Sequence, residues 1–358
     1  MHILYIVGRE LDYTRNDVLL RAFCRLGNVD VIGDNKPGSL LLRNVRVFFR
    51  ALPYIFDSKN KYDLVFVGFY GHLLMLPIGL ISQAPILFDA FVSTYDTLTN
   101  DRGYFSSHSL PGLLAFYLDK YACNLADTIL LDTVSHVEYF CNTFSIPNQK
   151  IKSLPVGCND DIFFPRPKNK SNSILTVLYY STYLPLHGVD VVIKAAKLLQ
   201  NEHGLRFRLI GTGQEYKRVY NLAVKLNLKN IDFIPIIPIS KLPEEISSAD
   251  ICLGGHFGVS DKSKRVIPGK IYQILAMQRP LIATDTPANL ELLKDGETAI
   301  LCSPNDPEGL ASAILKLKSD PQLRVKISIT GRNLYLNNCS ENIITIRLKK
   351  IIENMLAS

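Results

Sequence analysis

The sequence predicts an α/β protein made of two doubly wound, parallel-sheet halves. Three observations carry this. Short apolar runs of β type alternate with amphipathic helices along the 358 residues. Near residue 160 the texture breaks: Asn159, Asp160 and Asp161 lead into the polar, Pro- and Lys-rich stretch PRPKNKSNS (165–173), which reads as a linker. After it the alternation restarts. The length is long for one core and comfortable for two. The expected domains are therefore 1–165, 166–335 and a C-terminal helix at 336–358.

In the first half the strands are HILYIV, VDVIG, DLVFVG, PILFDAF, TILLDT and IKSLPVG, with NDVLLRAFCRLG and LPGLLAFYLDKYACNLA among the helices between them. In the second half the order is strand ILTVLYYST, helix GVDVVIKAAKLLQNEHG, strand LRFRLIG, helix GQEYKRVYNLAVKLNL, strand NIDFIPI and helix SKLPEEISSA. Strand DICLGG, helix KIYQILAMQ, strand PLIAT, helix PANLELLKDG and strand TAILCS follow, then helix DPEGLASAILKLKSD and a last helix from about Glu341. Right-handed crossovers put the strand C-termini, and any site, along one edge of each sheet.

Composition narrows the function classes. With 47% hydrophobic and 20% charged residues the chain is globular rather than disordered. Seven cysteines stand singly, with no Cys-x-x-Cys, so a zinc ribbon or dithiol site is not expected and a reducing compartment is. The run 64–88 has no charged residue and is long enough for a bilayer, but its Gly and Pro residues divide it into strand, short helix and strand. The net charge of +7 suits an anionic ligand or membrane surface, and no nucleic-acid motif is present. The expected location is the cytoplasm, with peripheral contact on the inner face of the membrane through 39–56. There Arg43, Arg46 and Arg50 share a helix face beside Leu42, Val45, Val47, Phe48 and Phe49, which fits an anionic membrane or an ordinary surface helix.

Four places attract attention as a binding site. Gly211 and Gly213 lie between a strand and a helix, where glycine admits close backbone approach and the helix start favours an anion; turn geometry alone also uses glycine there. Thr182, His187 and Gly188 sit at the same edge one unit earlier. Lys262, Lys264, Arg265 and Lys270 place four cations within nine residues, between strand DICLGG and helix KIYQILAMQ. Cations at a helix start oppose its dipole unless an anion is bound, so a diphosphate is the expected partner and a solvated basic loop the alternative. Asp89 ends a strand of the first half, where a carboxylate can orient a hydroxyl or cap a loop. No Asp-x-Asp occurs, so a metal-held diphosphate is not expected and no cofactor is called for.

From about 178 to 320 the chain resembles the donor domain of family 4 glycosyltransferases, retaining enzymes of GT-B fold. The likeness rests on YYSTYLPLHGVDVVIKAAKLL, FRLIGTGQEY, ADICLGG, KIYQILAMQRPLIATDTP and LELLKDGETAILCSPNDPEGLASAI, with LPVGCNDDIFFP similar to the interdomain segment. It implies a two-domain GT-B protein with an N-terminal acceptor-binding and a C-terminal donor-binding Rossmann-like domain facing a cleft. It also implies a last helix crossing back to the first domain, and sugar transfer from a nucleotide-diphosphate sugar to a glycan, lipid-linked or small-molecule acceptor.

The departures define a divergent branch. The family's diphosphate-gripping Arg and Lys correspond to Thr182 and His187. Its paired glutamates are missing: the second falls on Gln273, and the first on Arg265, or on Gly255 if His256, Phe257 and Gly258 are aligned with the family's Phe-Gly. The expected roles are Arg265 and Lys270 on the diphosphate with Lys262 or Lys264, Gln273 on the ribose, backbone approach at Gly211, Gly213 and Gly258, and Asp89 on hydroxyls. A nucleotide-sugar epimerase and a non-catalytic sugar-nucleotide-binding subunit stay open beside the transferase.

Overall fold

The computed structural model describes residues 1–36, 38–167 and 174–357. It divides into two compact units, Met1–Asn159 with Glu341–Ser358, and Asp160–Ser340. Most of the stretch read as a linker, 168–173, lies outside the described residues. The boundary expected at 335/336 falls inside the helix Pro321–Asn338; the unit changes between Ser340 and Glu341.

The first unit holds a six-stranded sheet of β1 (His2–Ile6), β2 (Asn28–Ile32), β3 (Leu64–Val67), β4 (Ile86–Asp89), β5 (Thr128–Leu131) and β6 (Ile151–Ser153). Their order is β2-β1-β3-β4-β5-β6 and every pairing is parallel. β3, β4 and β5 are buried at every position, which is why they read as continuous apolar runs. The uncharged run 64–88 becomes β3, the helix His72–Ile81 and β4, and no helix among the described residues is long and apolar enough to cross a membrane.

Helices cover both faces of this sheet. The last helix, Glu341–Leu356, packs Ile344, Leu348 and Ile352 onto the face that also holds Tyr5, Leu19, Phe23 and Phe66. Its first residue, Glu341, is 1% exposed and takes Arg21 and Arg25, each at 2.6 Å. In the helix Leu40–Phe56 the three arginines do not form an outer basic face. Arg43 is buried on Glu10 at 2.6 Å, Arg46 pairs with Asp34 at 2.5 Å and Arg50 donates to the Gly33 carbonyl at 2.6 Å. Loops beside the helix claim them because their carboxylates and carbonyls lie within reach.

The second unit holds β7 (Leu175–Ser181), β8 (Leu205–Gly211), β9 (Ile231–Ile234), β10 (Ile251–Gly255), β11 (Leu281–Thr284) and β12 (Ile300–Cys302), in the order β12-β11-β10-β7-β8-β9 and again all parallel. Strand order reverses between β7 and β10. In a doubly wound sheet, the crevice beyond the strand ends at such a point is where ligands bind. Several predicted helices are shorter than read, among them 188–204, helical over Val189–Leu198, 213–228, helical over Tyr216–Lys225, and PANLELLKDG, helical only over Pro287–Leu290. The basic stretch after β10 is a short helix, Asp261–Arg265, and not a loop.

Candidate functional site

At the reversal point the ends of β7 and β10 lie side by side, and the helix Gly269–Ala276 begins beside them. Lys270, in that helix's first turn, is 9% exposed. Its Nζ stands 4.4 Å from the centre of the Tyr179 ring and 5.9 Å from that of Tyr180. Among the described residues Nζ has no hydrogen-bond partner. Burial pushes the ammonium down to about 7. A buried cation at a helix start, over two ring faces but without an anion or acceptor among the described residues, is incompletely compensated: burial disfavours the charge and the dipole adds to the cost.

The other three cations differ. Lys262, Lys264 and Arg265 belong to Asp261–Arg265, whose N-terminus carries Asp261 and the capping Ser260, so their charge suits the end of their own helix. Lys264 pairs with Asp261 at 3.0 Å on the exposed surface. Lys262 and Arg265 are partly buried. The dipole conflict expected for four cations therefore applies to Lys270 alone.

Around Lys270 the structure gathers several expected residues and two that the sequence reading passed over. His256 follows β10, is buried, and stacks on His187 with ring centres 5.3 Å apart and planes at 14°. Burial, then Lys270 and Lys262, hold His256 well below the usual histidine range, so the ring is neutral at pH 7. Its Nδ1 has no hydrogen-bond partner among the described residues. Tyr179 donates its hydroxyl to the His187 carbonyl at 2.8 Å, which fixes the ring beneath Lys270. Gln273, one turn after Lys270, accepts from the Tyr180 hydroxyl at 2.9 Å through Oε1. The signals for the missed pair were faint: a tyrosine in a buried strand and a histidine after a Gly-Gly pair.

Two glycine pairs shape the floor. Gly188 has φ 59°, and a Cβ there would lie 2.3 Å from the Gly258 nitrogen, so both loops need a residue without a side chain. Gly211 and Gly213 have φ 133° and 148°, and a Cβ on either would lie 1.9 Å from the Ser181 or Thr182 carbonyl. Close approach of two strand ends accounts for this second pair without a ligand. Thr182 itself is exposed. His187 Nδ1 accepts from the Leu184 amide at 3.2 Å, so that nitrogen serves the turn.

Asp89 ends β4. It belongs to the first unit, is fully buried, and receives Arg15 at 2.8 Å on Oδ1 and 3.1 Å on Oδ2. Arg15, also fully buried, spends its other nitrogen on the Leu154 and Pro155 carbonyls at 2.7 and 3.0 Å. Burial pushes the Asp89 carboxyl up and the guanidinium opposes it. The expectation that Asp89 stands open at a strand end to orient hydroxyls is thereby corrected: β4 is interior to the sheet, and its final carboxylate neutralises an arginine beneath the surface.

Comparison with solved structures decides the fold. Sucrose-phosphate synthase from Thermosynechococcus elongatus superposes with a TM-score of 0.77 over 99% of both chains at 16% identity. The fold is GT-B. HepE of Anabaena, solved in complex with UDP and glucose, gives a TM-score of 0.71 over 98% of both chains at 15% identity. Residues 160–334, nearly all of the second GT-B unit, match the family described as Glycosyl transferases group 1. An uncharacterised glycosyltransferase of Methanocaldococcus jannaschii is 28% identical over 225 residues, 60% of this chain and 56% of that one. The chain thus spans about half the length of that relative.

Proposed function

We propose that this chain is a glycosyltransferase that takes its sugar from a nucleotide-diphosphate donor bound at the strand-end crevice of the second unit. The observation that carries the proposal is Lys270: a buried ammonium without a hydrogen-bond partner among the described residues, at a helix start, beside a neutral histidine. A diphosphate oxygen supplies what that ammonium lacks. The group 1 match over 160–334 and the UDP bound by HepE favour the same ligand class.

The barrier in glycosyl transfer lies in the departure of the nucleoside diphosphate while positive charge grows on the sugar ring. Fixed charge at the leaving group lowers it where the negative charge develops. In this reading Lys270 is the residue that meets that charge, with Lys262 and Arg265 adding positive potential from the preceding helix. The sequence has no Asp-x-Asp for a metal, so protein cations neutralise the diphosphate. Gln273 stands where the related enzymes carry a carboxylate, and Tyr180 orients it for a ribose hydroxyl. Retention at the anomeric carbon follows from the family resemblance. Asp89 we assign to folding and not to chemistry.

Thermal-shift titration with UDP, GDP, ADP and their sugars tests the ligand class, since a ligand held only by the folded state raises the melting temperature by mass action. One nucleotide is expected to stand apart from the rest. With that donor, Lys270→Met lowers turnover about tenfold to a thousandfold, as loss of a transition-state donor does. No shift with any nucleotide, or unchanged turnover in the variant, would remove the reading.

A further inference from the structure

Three helices of the first unit lie side by side: Leu40–Phe56 packs on His72–Ile81, which packs on Leu110–Leu125. A surface helix normally turns its polar face outward. These bury an apolar face in the core and leave apolar side chains outward as well. Leu40–Phe56 buries Arg43, Asn44, Val47, Ala51 and Ile55 and leaves Leu42, Val45, Phe49 and Phe56 exposed, the two phenylalanines at 65%. His72–Ile81 has no polar side chain apart from the buried His72, and exposes Leu73 and Leu80, the latter at 78%. Leu110–Leu125 exposes Leu110, Leu113, Leu114, Tyr117 and Tyr121. An apolar recess of about 510 Å³ opens between the last two, lined by Leu73, Leu76, Leu98, Leu114, Tyr117 and Tyr121 among others. Water-facing apolar surface of this extent marks a contact site.

Charge chooses the occupant. The only carboxylate in the three helices is Asp119, fully buried, whereas Arg50 of the same helices is exposed and Lys120 partly exposed. Arg50 borders the Leu42–Phe56 stripe, one turn after the Arg46 that Asp34 holds. None of the three helices turns a carboxylate outward, and the chain's net charge of +7 attracts an anionic surface. Besides Arg50, Lys120 and Asn124, the outward positions offer only tyrosine hydroxyls for hydrogen bonding. A protein partner needs polar contacts at its rim, and the hydrocarbon edge of a bilayer needs none. Tyrosines such as Tyr117 and Tyr121, stacked with ring centres 5.9 Å apart, suit the headgroup boundary.

We infer that this three-helix face docks the protein on an anionic phospholipid bilayer, with Phe49, Phe56, Leu80 and Leu114 entering the acyl boundary and Arg50 and Lys120 meeting headgroup phosphates. The inference stands whether or not the chain transfers sugar. Such contact is peripheral and scales with apolar area and with lipid charge.

Flotation of the full chain with phosphatidylcholine vesicles, and with vesicles also containing phosphatidylglycerol, tests it. The chain is expected to float with the anionic vesicles, and less so in high salt. The double variant Phe49→Ser/Phe56→Ser, both positions exposed, should keep its circular dichroism and float at least about tenfold less. Leu114→Ser/Tyr117→Ser should weaken flotation independently. A wild-type chain that stays unbound to both vesicle types overturns the inference, as does a Phe49→Ser/Phe56→Ser variant that floats like wild type. Equal flotation with neutral vesicles overturns the role of charge. A concentration-dependent dimer that the variant abolishes, without flotation, assigns the face to a second copy and overturns the lipid docking.

Discussion

At the scale of single residues, two buried charges with opposite surroundings divide the molecule's work. Asp89 and Arg15 neutralise each other below the surface, so their contribution is to stability. Removing one partner leaves the other charge buried alone. Asp89→Ala is expected to cost about 3–5 kcal/mol in urea unfolding. A well-folded Asp89→Ala with lost turnover would return the residue to chemistry. Among the described residues Lys270 has no such partner, and burial pushes it from its ordinary 10.5 down to about 7. The sign of its pH effect follows. Below about 7 the folded and unfolded chains both hold the proton, and the full cost of a buried ammonium is present. Between about 7 and 10.5 the unfolded chain binds more protons, so stability rises with pH across that window. Lys270→Met is therefore expected to gain about 1–4 kcal/mol near neutral pH. The gain should shrink toward the alkaline end in unfolding measured at both pH values. A gain that does not change with pH would contradict an uncompensated charge.

Elements show where the sequence was legible. Strands of the sheet interiors were read nearly to the residue, because a β-strand covered on both faces must be apolar throughout. LRFRLIG is β8 from end to end, although Arg206 and Arg208 interrupt its apolar run and pair with Asp232 and Glu245. The segment 261–270 was not read correctly. Its cations were treated as one loop at the start of one helix, but Ser260 is a cap and Asp261–Arg265 a helix of its own. Five residues carry too little periodicity to announce a helix, and the capping serine was the only local sign. Likewise the arginines of Leu40–Phe56 fall on one face in sequence, but partners on distant loops decide whether that face is outer. The last helix is held by Glu341, which takes two arginines at a favourable helix start. Both arginines are partly exposed, so solvent screening lowers what the pairs contribute. Glu341→Ala is expected to cost about 1–2 kcal/mol in urea unfolding. An unaltered midpoint would show that apolar packing by Ile344, Leu348 and Ile352 holds the helix alone.

For the whole molecule, the alternating pattern was enough for two parallel sheets, since only crossover helices on both faces produce it. Strand order was not readable, because the sheet-wide order depends on pairings between segments far apart in sequence. Yet that order matters most for function: the reversal between β7 and β10 is what makes a crevice, and Lys270 stands at its edge. Likewise Tyr179 and His256 became visible only once β7 and β10 were neighbours. The account's central claim is that Lys270 awaits an anion. It is tested most directly by calorimetric titration of the full chain with nucleoside diphosphates at about pH 8, in buffers of different ionisation enthalpy. An anion raises the ammonium's affinity for its proton, so binding should take up protons, and Lys270→Met should bind about tenfold weaker or worse with no uptake. Equal affinity in the variant, or binding without proton uptake in the wild type, would contradict the account.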